Sequence, residues 1–370
     1  MKQMVPVLSI TGSDSTGGSG VQADVKTISA LGGYALTVIT SVTVQSSSEI
    51  HEIHDLPTDL VIGQTRAVLE DMHLGAIKIG LVRDPETIVA LRKEVVGCSK
   101  LVCDPGLVSS RGELLASDAV VRAFAGEIFP ITQVLILRSQ ATAILLQEEV
   151  NTTEQMIEAG RRLLEKGAQS VLIQGAHAAG KQVTDIFLVA GEEKVQFFSL
   201  PDTKGWKLHG VGGTLSSAIA TYLALGDSLH EAVHKAHQYI QGLLVYSLGS
   251  ESTMLHHVHP TSITGRNVEL YNSFMALIAQ NYKEAHDVSF YADKLCVTAR
   301  YLSQITGTVV GKTPKQLISD YLIRESEILL ESPALSIQEI AYRLGFSSQA
   351  LFSKFFHMQK GCSPKEFRNR

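Results

Sequence analysis

The stretch LHGVGGTLSSAIATYLALG, Leu208 to Gly226, sets Gly210, Gly212 and Gly213 directly ahead of an alanine-rich segment. Glycines let backbone N–H groups approach a ligand closely, and a helix N-terminus favours an anion, so this pattern points to a phosphate cradle. A cradle that also transfers the phosphate needs a side chain to accept a proton or orient the attacking hydroxyl. Position 213 is a glycine and offers none. A second glycine-rich turn stands near the N-terminus in TGSDSTGGSGVQADVKT, residues 11–27, with Gln22 and Asp24 on the helix after it. Taken alone, that turn fits a ligand loop and a tight strand–helix connection equally well.

These turns need a frame. Up to about Gly249 short apolar β-type runs alternate with helical stretches. Strands are expected at 5–12, 35–45, 75–82, 100–108, 134–137 and 170–176, and helices at 20–33 and 154–167 among others. Strands alternating with helices imply an α/β domain with a mostly parallel sheet flanked by helices. Ligands in such sheets bind beyond the carboxyl ends of the strands, where the glycines and polar residues follow. Residues 251–272 lack a clear period and read as a linker; from 273 to 370 the chain reads as all helix.

Composition agrees with two folded parts. The chain has 370 residues, more than one typical core holds, and is 45% hydrophobic and 19% charged, which excludes global disorder. No apolar run reaches the roughly 18 residues of a membrane span, so no membrane partner is expected. The N-terminus lacks the apolar core and cleavage site of a signal peptide. Cys98, Cys103, Cys296 and Cys362 are scattered without a CxxC pair and read as reduced thiols of a cytoplasmic protein. His256, His257 and His259 lack an acidic or cysteine partner nearby, so no metal site is expected. Residues 1–270 carry 20 basic and 28 acidic side chains, and residues 271–370 carry 12 and 9. A weakly basic tail behind an acidic body fits a nucleic-acid module.

Six motifs follow one another in order: TGSDSTGGSGVQAD (11–24), ITSVTVQ (39–45), IKIGLV (77–82), CDPGLV (103–108), IQGAH (173–177) and HGVGGTLSSAIA (209–220). Over about residues 5–250 the chain resembles the hydroxymethylpyrimidine/phosphomethylpyrimidine kinases of thiamine synthesis and the related pyridoxal kinases, within the ribokinase-like superfamily. The resemblance implies a ribokinase-like domain over 1–250 in which Gly12, Asp24 and Gln45 hold a pyrimidine or pyridine ring while Leu81 and Val108 pack on its faces. A carboxylate and an amide can together read ring nitrogens and an exocyclic amino or hydroxyl group.

The chain departs from that family on the phosphoryl side. The family's cysteine at the end of the glycine turn corresponds to Gly213, so no catalytic residue is expected there. Its Thr-Pro-Asn-x-x-Glu element, which serves the nucleotide and Mg²⁺, aligns with Leu137, Arg138 and Ala141, and a phosphate-contacting lysine aligns with Ser110. Acid–base groups of this kind are worth about 10²–10⁴-fold in rate. MgATP is therefore expected as a cofactor only if the kinase activity survives. The backbone of Gly210, Gly212 and Gly213, with Arg111 and Arg138 beside it, is expected to hold a phosphate; the alternative is that both arginines are solvated surface residues.

In the last hundred residues a short helix, a turn at Cys296–Val297 and a second helix from Thr298 are followed by the same plan, with Gly345 at the turn and a second helix from about Ser348. Ser336 and Glu339 have the spacing of a capping box. The segment from FYADKLCVTARYLSQI to GCSPKEFR resembles the AraC-family DNA-binding domain, which implies two helix-turn-helix units joined by a long helix over 314–330. Their second helices would enter successive major grooves about 34 Å apart. The matching recognition positions are Arg300, Ser303 and Gln304, then Gln349, Ala350 and Lys354. Tyr301, Leu302, Leu351, Phe352, Phe355 and Phe356 have helical spacing and read as core.

Together these features predict a transcription regulator that binds double-stranded DNA and senses a small pyrimidine or pyridine effector. The alternative is an active hydroxymethylpyrimidine or pyridoxal kinase that also carries a DNA-binding domain. The family resemblance further implies a homodimer through the kinase-like half.

Overall fold

The computed structural model describes residues 4–46, 49–109, 112, 114–177, 182–201, 210–248, 266–330 and 335–368. Among these residues nine strands form one sheet: β1 (Val5–Ser13), β2 (Gly33–Gln45), β3 (Ile50–Asp55), β4 (Ala76–Ile79), β5 (Leu101–Cys103), β6 (Val134–Arg138), β7 (Ser170–His177), β8 (Gln182–Val189) and β9 (Gln196–Pro201). Their spatial order is β3-β2-β1-β4-β5-β6-β7-β8-β9. The six central strands, β2 through β7 in that order, are parallel, and the chain reverses its direction of travel across the sheet between β1 and β4. β3 pairs antiparallel with β2, and β8 and β9 extend the other edge antiparallel.

Those three edge strands are absent from the expectations of the sequence. β3 reads IHEIHD and has no fully buried residue, so it lacks the apolar signature of an inner strand. The inner strands carry apolar runs, and β4, β5 and most of β6 are buried on both faces.

Among the described residues, eight α-helices accompany the sheet: α1 (Gly20–Ala30), α2 (Thr58–Asp71), α3 (Pro85–Val95), α4 (Asp118–Ala123), α5 (Ser139–Leu146), α6 (Thr153–Glu165), α7 (Val211–Leu225) and α8 (Leu229–Leu248). Their starts follow side-chain chemistry. Asp84 caps α3 by accepting from the N–H groups of Glu86 and Thr87, with Pro85 in the first turn. Thr152 and Gln155 form a capping box at α6. α7 is built of small residues and is buried on nearly every side. Among the described residues no helix is long and apolar enough to cross a membrane.

The chain divides into two compact units, with the division inside α8 between Gln241 and Gly242. The second unit holds α9 (Arg266–Asn281), α10 (Val288–Lys294), α11 (Ala299–Val310), α12 (Pro314–Leu330), α13 (Ile337–Arg343), α14 (Gln349–Lys360) and α15 (Pro364–Arg368). α9 starts inside the stretch read as linker, and its Tyr271, Phe274 and Ile278 join the core of this unit. The histidines at 256, 257 and 259 lie outside the described residues.

Candidate functional site

A pocket of about 160 Å³ opens at the carboxyl ends of β1, β2, β4, β5 and β6. It lies at the crevice where the strand order reverses, the position at which open parallel sheets take their ligands. Gly12, Gln45, Leu81 and Val108 all line it, as do Arg138, Gly210, Gly212 and Gly213. Arg111 lies outside the described residues.

One end of the pocket is shaped by strand ends. A Cβ on Gly12 would stand 2.6 Å from Ser41 Oγ, so a side chain there would collide with the neighbouring strand. Leu81 is fixed by its backbone: its N–H donates to Thr11 Oγ1 at 2.9 Å and its carbonyl accepts from Thr40 Oγ1 at 2.6 Å. Gln45 Oε1 accepts from Thr43 Oγ1 at 3.3 Å. Asp14 ties down the first glycine turn: its carboxylate accepts from the N–H and hydroxyl of both Thr16 and Ser19, at 2.7–2.8 Å.

Asp24 does not line the cavity directly. It is fully buried beneath it, where one carboxylate oxygen accepts from Ser9 Oγ at 2.5 Å and from Lys78 Nζ at 2.6 Å. Lys78 in turn reaches the pocket wall. The other oxygen, Oδ1, has no hydrogen-bond partner, and it lies 3.7 Å from where a Cβ on Gly213 would stand. The sequence reading missed Lys78, although a lysine inside the apolar run AIKI is a signal that a buried partner exists.

At the other end stands the N-terminus of α7. Gly210 caps it with φ of +94°, and a Cβ there would fall 1.8 Å from the Gly18 carbonyl oxygen, so only glycine fits. The first-turn N–H groups of Val211, Gly212 and Gly213 have no carbonyl within the helix to bond, which leaves them for an anion. A Cβ on Gly212 would meet Gln174 Oε1, Arg138 Nη2 and Asp104 Oδ2 at 3.6–3.7 Å. Arg138 is half-buried and is held by a bond from Nη1 to the Ser109 carbonyl at 3.0 Å. Its removal from water lowers its pKa, and Asp104 acts against that.

Asp104, also missed in the sequence, accepts from Ser216 Oγ at 3.2 Å. Removal from water holds its carboxyl above the ordinary range and Asp24 adds to this, while Lys78, Arg138 and the Ser216 hydroxyl oppose it. The pocket wall thus carries two basic side chains, Lys78 and Arg138, and two acidic ones, Asp14 and Asp104, with the Asp24 carboxylate buried beneath it.

The second unit presents two helix-turn-helix pairs, α10–α11 and α13–α14. Cys296 turns the first with φ of +54° and Gly345 the second with +80°. Thr298 and Ser348 cap the second helices by accepting from the N–H of Tyr301 and Leu351. The Ser336–Glu339 capping box is formed. Arg300, Ser303, Gln304, Gln349, Ala350 and Lys354 are all exposed. Leu302, Phe352 and Phe356 are fully buried and Phe355 packs against the same core. Tyr301 and Leu351 differ from the expectation: they are 37% and 53% exposed. Each precedes a buried residue, and neighbours on a helix point about 100° apart, so both cannot face one core.

Comparison with known proteins agrees with this architecture. Residues 14–259 match the phosphomethylpyrimidine kinase family and residues 291–370 match a helix-turn-helix domain family. The chain is 35% identical over 262 residues to a hydroxymethylpyrimidine/phosphomethylpyrimidine kinase of Rhizobium meliloti, covering 68% of this chain and 96% of that one. It is 36% identical over 236 residues to the thiamine biosynthesis bifunctional protein ThiED of Geobacter sulfurreducens, covering 63% of this chain but only 48% of that longer protein. Among solved structures, an ADP complex of Bacillus subtilis pyridoxal kinase matches with a TM-score of 0.60 at 25% identity, over 65% of this chain and 92% of that one. The fold is ribokinase-like, with a helical C-terminal region of helix-turn-helix type. The chain belongs to the phosphomethylpyrimidine kinase family and carries an AraC-type DNA-binding domain at its C-terminal end.

Proposed function

We propose that the chain is a cytoplasmic transcription regulator whose kinase-family domain binds a pyrimidine or pyridine vitamin precursor and does not phosphorylate it. The ligand is hydroxymethylpyrimidine, pyridoxal or one of their phosphates. Gln45 and Gly12 would hold the ring, with Asp24 beneath, and Leu81 and Val108 would pack on its faces. The observation that carries the proposal is Gly213: the turn keeps its anion-binding N–H groups and lacks the side chain that the family places among them. The bare N-terminus of α7, with Arg138 beside it, supports retention of a phosphate.

The effector would shift a homodimer between DNA-binding states, and can do so only through unequal affinity for the two. Arg300, Ser303 and Gln304 would read one half-site, and Gln349, Ala350 and Lys354 the other. The test is whether hydroxymethylpyrimidine or pyridoxal binds the purified chain in the presence of MgATP without release of ADP. Binding without ADP supports a receptor; steady ADP release contradicts it.

One observation favours a second reading, an active kinase that also binds DNA. Asp24 Oδ1 lacks a partner and faces the space left by the missing side chain at 213. A carboxylate there could accept the proton of an attacking hydroxyl in place of the family's cysteine. In that case MgATP would be the phosphoryl donor, with the α7 N-terminus and Arg138 as the groups of this chain nearest its phosphates.

A further inference from the structure

The second helices of the two helix-turn-helix units are built on one plan and differ in their outward chemistry. Thr298 corresponds to Ser348 as the cap, and the fully buried Leu302 and Thr306 correspond to Phe352 and Phe356. On the outward side, Arg300, Tyr301 and Gln304 stand where the other unit has Ala350, Leu351 and Lys354.

Leu351 is more than half exposed although it sits in the first turn of α14. Its position is well fixed. Its N–H donates to the Ser348 cap at 3.3 Å, and the next residue, Phe352, is locked by ring contacts with Phe346 at 5.4 Å and Phe356 at 5.9 Å. An outward leucine here has no core to bury in. The first turn is also the part of such a helix that meets base edges.

In the major groove the one apolar base feature is the thymine C5-methyl group; the rest are hydrogen-bond donors and acceptors that leucine cannot satisfy. We infer that Leu351 reads a thymine methyl in the half-site of the second unit, with Ala350 leaving room beside it. Lys354, one turn further on, supplies the charged contact to guanine or phosphate. The half-site of the first unit is read instead by the polar groups of Arg300 and Gln304. This inference rests on the DNA-binding reading given above.

The test uses the full chain and a duplex selected by it from a random pool, with and without hydroxymethylpyrimidine. Each thymine of the selected duplex is then replaced singly by deoxyuridine, which removes only the methyl. One or two replacements, confined to one half-site, should weaken binding about three- to fivefold, the scale of one buried methyl group. Leu351→Ala should bind the thymine and uracil duplexes equally, and Leu351→Met should restore the difference. Thermal melting of each variant checks that the fold is kept. Equal binding of thymine and uracil at every position by the unmodified chain, or persistence of the difference in Leu351→Ala, would overturn the inference alone. Failure to select any sequence would overturn it together with the DNA-binding reading.

Discussion

The two ends of the pocket are made of different materials. Around and beneath the end near the first glycine turn, side chains hold one another: Asp14 pins the turn, and Ser9, Asp24 and Lys78 form a buried network that leaves one Asp24 oxygen unpaired. At the other end the pocket is lined by the glycine backbone at the start of α7, with side chains only around it. Side-chain networks distinguish one ring from another, whereas a helix terminus holds any suitable anion. Position 213 stands at the second of these ends, so the lack of a side chain there leaves the Asp14 and Asp24 contacts of the first untouched.

The largest effect that would sharpen this contrast is at the buried network. Lys78→Met leaves the Asp24 carboxylate buried without its cation, and removal of one partner of a buried pair typically costs about 3–5 kcal/mol. Chemical denaturation measures it; a loss below about 1 kcal/mol would show that Asp24 is not held as an ion pair. Gly210→Ala strikes the other end. It forces a Cβ against the Gly18 carbonyl at a left-handed position, and overpacking of this kind costs about 1–3 kcal/mol. Pyrophosphate binding, followed by calorimetry, should weaken with it. Unchanged binding would break the claim that the turn is the anion site.

A smaller effect should appear with pH. Asp104 has its carboxyl raised, chiefly by removal from water, so its contribution to stability is full below the ordinary carboxylate range and is lost as pH rises through the raised value. Asp104→Asn removes that slope. The melting temperature of the variant relative to the unmodified chain should therefore climb as pH goes from about 4 to about 7. A difference that falls over this range would reverse the assigned sign.

Much of this was legible in the sequence because glycine and apolar periodicity leave strong local marks. The parallel strands, the two glycine turns, both helix-turn-helix pairs and the Ser336 capping box stand close to where the sequence placed them. The antiparallel edge strands were not legible, because an exposed strand such as IHEIHD lacks a buried face to betray it. Lys78 and Asp104 were missed for a different reason. Their partners, Asp24 and Ser216, are far away in the chain, and only the fold brings the charges together. Tyr301 and Leu351 were misplaced because adjacent apolar residues on a helix were assigned to one face.

The measurement that bears most directly on the central claim is product formed per protein molecule, by mass spectrometry, with excess MgATP and either hydroxymethylpyrimidine or pyridoxal. Gly213→Cys belongs beside it, since a Cβ at 213 meets nothing closer than Asp24 Oδ1 at 3.7 Å and the variant should fold. The expected result is ligand recovered bound and unchanged from the unmodified chain, at less than one product per molecule. Many turnovers by the unmodified chain would contradict the account and make this an active kinase that also binds DNA.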